Sequence, residues 1–215
     1  MKELLNKEFK LAAHPTTFIF LLLSAMMLIP NYPYYITFFY TTLGIYFTFL
    51  SSRENHDIFY TMSLPIRKKN IVKSKFIFVI LIEFIQIIIA IPFAIIRKTY
   101  SLPNNIVGIE ANIAFFGLAL IMLGIFNYIF FIKYYKNTDK VGVAFASATF
   151  GIGIFMVLAE TSVNVIPYMR NNIDTMDPEC ILEKLIILLL GIILYTLLTL
   201  ISYKRSVKNF EKLDL

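Results

Sequence analysis

The sequence has no tryptophan, one cysteine in 215 residues, and few charged residues: 16%, against about a quarter in a soluble domain. Without tryptophan, interfacial anchors have to be tyrosines. Cys180 has no second cysteine, so an intramolecular disulfide and a cysteine-based metal site are excluded. The hydrophobic fraction is 58%, and these residues lie in long uninterrupted runs. The composition therefore predicts a membrane protein.

Motifs of several enzyme classes are missing as well. No G-x-x-x-x-G-K-[ST] loop is present, so this chain lacks the usual ATP cradle. The two histidines, His14 and His56, form no H-E-x-x-H pair, and no G-x-S-x-G elbow occurs. Despite the net charge of +6, no nucleic-acid-binding motif lies among the basic residues. The sequence therefore predicts neither an enzyme nor a cofactor-, metal- or nucleic-acid-binding chain.

Six apolar runs are candidates for transmembrane helices, which need about 20 residues each. Open strands are excluded because their backbone groups would go unpaired in hydrocarbon. We predict an all-α integral membrane protein, with about six transmembrane helices in a single domain over residues 1–215. The runs are residues 16–29, 34–50, 76–96, 111–132, 141–159 and 185–203.

The basic residues predict the orientation. With the N-terminus inside, sixteen of the 20 lysines and arginines fall in cytoplasmic pieces, and four fall outside: Arg97, Lys98, Arg170 and Lys184. This positive-inside bias places both termini and the loop 51–75 in the cytoplasm, and the loop 160–183 outside. We predict a multi-pass protein of the plasma membrane.

Residues 1–12 carry Leu4, Leu5, Phe9 and Leu11 near one side and lysines elsewhere. This pattern predicts a short interfacial helix on the inner headgroups before Pro15 turns the chain into the bilayer. The alternative is a frayed charged tail.

The loop 51–75 combines charge with a short apolar turn. Ile58, Phe59 and Met62 fall at helical spacing, and Asp57 sits where a helix N-terminus favours a negative charge. Pro65 would end this helix and suit the first turn of the next. The apolar face is typical of a docking site for a cytoplasmic partner, although it could also lie on the inner leaflet.

The run R-E-N-H-D-I-F-Y-T-M-S-L-P-I-R-K-K-N-I-V-K-S-K-F resembles the cytoplasmic loop of type-two ATP-binding cassette (ABC) permeases of low-GC Gram-positive bacteria. K-E-F-K-L-A-A-H-P and L-I-P-N-Y-P are similar to members of that family too. The resemblance implies a coupling helix that seats in a groove of a separate cytoplasmic ATPase subunit, with ATP held there. It also implies a second permease copy or a paralogue, and a short extracellular element before the last span. The coupling residues it implies are Asp57, Ile58, Phe59, Met62, Leu64 and Pro65.

Two further groups stand out within the spans. Glu83 and Gln86 lie one turn apart, and a carboxylate at this depth needs protein or water around it. They either line a substrate path or form an internal hydrogen bond, for instance with Asn127. Gly142, Ala146 and Gly151 give the fifth run a small-residue pattern that allows close helix packing, within the chain or at a dimer seam.

These features predict the permease subunit of an ABC exporter, with the chain forming half of a translocation path and membrane lipids around it. The alternative is an ATPase-independent small membrane protein, such as an immunity or sensing component.

Overall fold

The computed structural model describes residues 1–100, 103, 105 and 107–213. Within them, eight α-helices follow one another: α1 Lys2–Lys7, α2 Pro15–Leu21, α3 Tyr35–Glu54, α4 Asp57–Met62, α5 Lys68–Thr99, α6 Ile113–Tyr134, α7 Val141–Val165 and α8 Ile181–Glu211. A π-helical turn at Glu8–Ala12 continues α1, and another at Met169–Ile173 lies between α7 and α8. A 3-10 stretch, Leu22–Leu28, continues α2.

Four of the described helices, α5 to α8, are long and apolar enough to cross a bilayer. A fifth crossing is obtained if the bent pair Lys2–Ala12 and Pro15–Leu28 is one span. The predicted number of about six is therefore not reached by this criterion. The difference lies in α3, a 20-residue helix whose inward face is rich in buried hydroxyl groups that lower its hydropathy: Thr37, Thr41, Thr42, Thr48 and Ser52.

The N-terminal segment is ordered helix and lies across the direction of the helix that follows it. Lys2–Ala12 and Pro15–Leu28 meet at 87°. His14 forms the corner. Its ring Nδ1 accepts a hydrogen bond from the backbone N–H of Thr16, and the backbone N–H of His14 donates to the side-chain hydroxyl of Thr48 on α3. Leu4 and Ala12 are buried, so this segment packs on the bundle.

The connecting segments meet at two opposite ends of the bundle. At one end, Lys7 contacts Asp57, and Lys68 near the start of α5 donates to the carbonyl of Leu213 after α8. We call this the basic end: residues 1–14, 51–75, 133–140 and 204–213.

The other end joins the remaining connections. The side-chain amide of Asn105 donates to the carbonyl of Tyr32, and the N–H of Glu110 donates to Asp174. We call it the acidic end: residues 30–34, 97–112 and 160–184, as far as these are described. Successive segments of the described chain thus run from one end to the other.

The closest helix crossing lies between α6 and α8. A Cβ built on Gly117 would lie 2.6 Å from the carbonyl oxygen of Ile187 and 2.7 Å from the Cα of Leu188. A Cβ on Gly191 would lie 2.8 Å from the Cα of Gly117. The two backbones therefore touch, as small residues permit in helix pairs within lipid.

The small residues that the sequence pattern singled out on α7 do not all face the same side of the helix. Gly142 and Ala146 face outward, whereas Gly151 is half-buried, and a Cβ there would collide with the side chain of Ile129 on α6. The glycines that let two helix backbones touch are thus found on α6 and α8, and the sequence pattern did not single them out.

Candidate functional site

The short helix α4 lies at the basic end, between α3 and α5. α3 ends at Glu54, and His56 takes a left-handed conformation (φ 51°) that reverses the chain into α4. Asp57 occupies the first turn of α4, as predicted from the helix dipole. α5 begins only at Lys68, so Pro65 lies in the connecting turn and not in the first turn of the next helix.

A buried group of charges fixes α4 to the bundle. Lys75 on α5 places its Nζ 3.0 Å from Asp57 Oδ2, 3.2 Å from Glu8 Oε2 and 3.0 Å from Ser52 Oγ. Lys7 lies 2.7 Å from Asp57 Oδ1 and 3.2 Å from Glu8 Oε1. We call these five residues the Lys75 cluster.

The Lys75 cluster balances two cations against two carboxylates. The side chains of Lys75 and Glu8 are each only 1% exposed. Burial alone would raise the pKa of Asp57, but Lys75 and Lys7 outweigh it and hold that pKa well below its usual value. Asp57 is therefore a carboxylate at neutral pH, and it ties α4 to both α1 and α5.

The predicted apolar face of α4 does not lie on one side. Ile58 points inward and is 8% exposed, and Met62 is partly buried against the core. Phe59 is 61% exposed, and Tyr60 (67%) and Leu64 (54%) join it on the outside. The reason is that Asp57 is drawn inward by Lys75, which turns its neighbour Ile58 toward the bundle as well.

A second contact joins the end of α3, just before α4, to the connection between α6 and α7. Arg53, at the end of α3, donates from Nη1 to the carbonyl of Asp139, just before α7. A cleft of about 180 Å³ between these segments is lined by both Ile58 and Tyr134. α4 is therefore bonded to α1 and α5, and it shares a cleft with the connection between α6 and α7.

Glu83 lies inside the bundle and joins three helices. Its Oε2 accepts from the side-chain amide of Asn127 on α6 (3.0 Å) and from the hydroxyl of Tyr195 on α8 (2.6 Å). Gln86 points elsewhere and donates to Ser24 in the 3-10 stretch (2.7 Å). Glu83 is 1% exposed, so the side chain faces protein and not lipid.

Comparison with known proteins places the chain in a family. A family profile described as "ABC-2 family transporter protein" matches residues 3–211. The chain belongs to the ABC-2 transporter family. This confirms the resemblance seen in the loop before α5, and it makes the chain a multi-pass membrane component of a transporter in the bacterial plasma membrane. Searches of curated proteins and of solved structures found no match.

The acidic end of this ABC-2 protein is held by carboxylates that accept backbone hydrogen bonds. Glu160 accepts from the N–H of Ile109, Asp174 from that of Glu110, and Asp177 from that of Ile113. These bonds secure the entry into α6, and Lys184 neutralises Asp177 at 3.1 Å. The end of α7 and the segment before α8 thus act as a clamp on the start of α6, where the resemblance implied only a short extracellular element.

Asp174 should make this clamp depend on pH. Burial raises the pKa of Asp174 to about 6, with Glu110 adding to the shift, although the bond from the Glu110 N–H opposes it. A raised pKa means that the folded chain holds the proton more tightly, so stability falls as pH rises from about 4 to 6. Asp174→Asn keeps an acceptor without the charge. The variant should not lose stability when the wild type does. We therefore expect the thermal midpoint of Asp174→Asn to rise relative to that of the wild type between pH 4 and pH 7.

Glu179→Gln is the matched control, because Glu179 is an exposed acid that lines a cleft together with Asp174. Its midpoint relative to the wild type should stay constant over this pH range. An equal change in both variants would show that the burial of Asp174 does not control the clamp.

Proposed function

We propose that this chain is the permease subunit of an ABC exporter and that α4 is its coupling helix. The proposal rests on two observations taken together. The Lys75 cluster fixes one side of α4 to the bundle, and Phe59, Tyr60 and Leu64 are exposed on the other side. An exposed apolar patch rimmed by charge is typical of a protein interaction site.

The proposed topology follows the charge distribution. The described chain runs between the two ends six times when the α2 segment and α3 are counted, and the basic end gathers sixteen of the 20 lysines and arginines. By the positive-inside rule, the basic end and both termini are then cytoplasmic. This topology puts α4 on the side where a cytoplasmic ATPase, with its ATP, would reach it.

In this mechanism the chain makes and breaks no bonds. Closure of the ATPase subunits would press on α4, and the Lys75 cluster would pass the displacement to α1 and α5. An ATPase that binds one arrangement of α4 more tightly than another would shift the permease between inward- and outward-facing states.

Six passes amount to half a translocation unit, so a second copy or a paralogue would complete it. The outward Gly142 and Ala146 leave one side of α7 open to close approach.

Phe59→Asp is expected to abolish binding of the ATPase subunit, because the carboxylate would be desolvated in an apolar groove. Phe59→Ala should weaken binding by about 1 kcal/mol or more, as the loss of a buried aromatic anchor does. The measurement is co-purification of the ATPase and stimulated ATP hydrolysis in one detergent. Membrane insertion, which the long helices determine, should not change.

Tyr168→Asp is the matched control, since Tyr168 is 57% exposed and lies at the acidic end. It introduces the same charge at a similar exposure, and ATPase binding should persist. If Phe59→Asp keeps both binding and stimulated hydrolysis at the wild-type level, α4 is not the coupling element.

A further inference from the structure

An apolar groove runs along the outside of the bundle between α5, α6 and α8. Its volume is about 810 Å³, and its walls include Phe84, Ile91, Phe116, Leu188 and Ile192. Ile91 and Ile192 are each more than 40% exposed, so the groove opens sideways, toward the space that lipid occupies around these spans. Burying such surface is favourable for any apolar chain that fits it.

Charged lining residues lie only at the acidic end of the groove. Lys98, at the end of α5, and Asp177, before α8, both line the groove there. Asp177 is neutralised by Lys184, and the neighbouring Arg97 is paired with Glu110 at 3.1 Å. Lys98 is exposed and forms no ion pair with any residue in the described part of the chain. The mouth of the groove therefore carries one uncompensated positive charge.

The length of the groove suits an acyl chain. From Lys98 to Phe84 along α5 the rise is about 21 Å, at 1.5 Å per residue. Half of a bilayer's hydrocarbon core is about 15 Å thick. A chain that starts at the headgroup level near Lys98 would therefore stay inside the groove to the bilayer centre. A helix of another protein would match the walls equally well, but it would also have to bring a carboxylate to Lys98.

We propose that this groove binds one acyl chain of an anionic phospholipid, with the lipid phosphate on Lys98. The apolar walls supply affinity for the chain, and the lysine selects the charged headgroup. The bound lipid would cover the part of α6 that lies in the groove between α5 and α8. The site does not depend on which substrate the transporter moves or on how it docks its ATPase.

The absence of tryptophan allows a direct test. Phe116→Trp places the chain's single tryptophan on the groove wall, where bromine atoms on a bound acyl chain would quench its fluorescence. The protein is reconstituted in phosphatidylcholine vesicles containing a small fraction of brominated phosphatidylglycerol or brominated phosphatidylcholine. We expect brominated phosphatidylglycerol to reach the same quenching as brominated phosphatidylcholine at an about fivefold lower lipid fraction. This is the preference for an anionic lipid that one basic residue gives. Adding Lys98→Gln should remove this preference.

Two further reporters make the result decisive. Phe150→Trp, at a 72% exposed position on α7, reports ordinary contact with lipid and should be quenched equally by both lipids. Phe84→Trp, on the opposite wall of the groove, replaces the first reporter if Phe116→Trp lowers the thermal midpoint. Equal quenching by the two lipids at both groove positions would overturn the proposal. Quenching at Phe150→Trp but at neither groove position would also overturn it, because the groove would then be filled by protein, such as a second copy.

Discussion

Lys75→Met is expected to lower the free energy of unfolding by about 3–5 kcal/mol, the cost of removing one partner from a buried ion pair. The variant leaves Glu8, which is 1% exposed, with Lys7 as its one remaining cation in the Lys75 cluster. Asp57 also loses a 3.0 Å contact. The thermal midpoint in a fixed detergent should fall steeply. ATPase binding should fall with it, because α4 would lose its attachment to α5.

Lys73→Met is the matched control, two residues earlier on the same helix. Lys73 is exposed, whereas Lys75 is not, so the same substitution should change the midpoint little. Neutralising Glu8 as well, with Glu8→Gln, should recover part of the lost stability, since Lys7 and Asp57 would then remain as one matched pair. Equal midpoints for Lys73→Met and Lys75→Met would mean that the cluster does not hold α4.

The role of Lys75 illustrates what a sequence pattern leaves out. Lys75 counts toward the positive-inside bias in the same way as Lys73, because both precede a long apolar run. Only the fold brings Glu8, 67 residues away, within 3.2 Å of it. No local spacing indicates such a contact. The clue available in the sequence is that Lys75 directly precedes Phe76 and the continuous apolar part of α5.

The short helix α4, which we propose as the coupling helix, shows the same limit within a few residues. Helical spacing predicted one apolar face of Ile58, Phe59 and Met62, but only Ile58 and Met62 are buried or partly buried. It does not say whether that face points toward a partner or toward the bundle. The contacts of Asp57 decide this, and they leave Phe59 outside. Tyr60 and Leu64 become part of the exposed surface for the same reason.

The long apolar runs predicted their helices well. The run 141–159 starts where α7 starts, and the run 111–132 lies within two residues of α6 at each end. These segments are sufficiently apolar for composition alone to determine them. The first run was harder, because α2 changes to 3-10 helix after Leu21. α3 shows why hydropathy fails for an enclosed helix: Thr17 on α2 donates to the carbonyl of Gly44 on α3, a polar contact between helices.

Helix packing was the least predictable feature. Small residues four apart on α7 signal that close packing is possible, but they do not identify a partner. The observed crossing joins Gly117 and Gly191, which are 74 residues apart and each isolated among large apolar side chains. Seen alone, each glycine predicts only a weak point in a helix.

Gly191→Ala is therefore expected to destabilise the protein, although alanine is the better helix former by about 1 kcal/mol. The added Cβ would lie 2.8 Å from the Cα of Gly117 and closer still to its carbonyl oxygen. Backbone atoms cannot move aside as a flexible side chain can, so α6 and α8 must separate. Overpacking of this kind costs about 1–3 kcal/mol, and Gly191→Leu should cost more. The thermal midpoint in detergent measures both variants.

Gly153→Ala provides the comparison that isolates the crossing. Gly153 lies within α7, and a Cβ there would have no heavy atom within 4 Å among the described residues outside its own turn. The same substitution should then raise the midpoint, because only the helix propensity changes. Opposite signs at the two glycines would follow directly from the contact of α6 with α8. If Gly191→Ala were as stable as Gly153→Ala, the two helices would have to lie farther apart than the 2.8 Å approach implies.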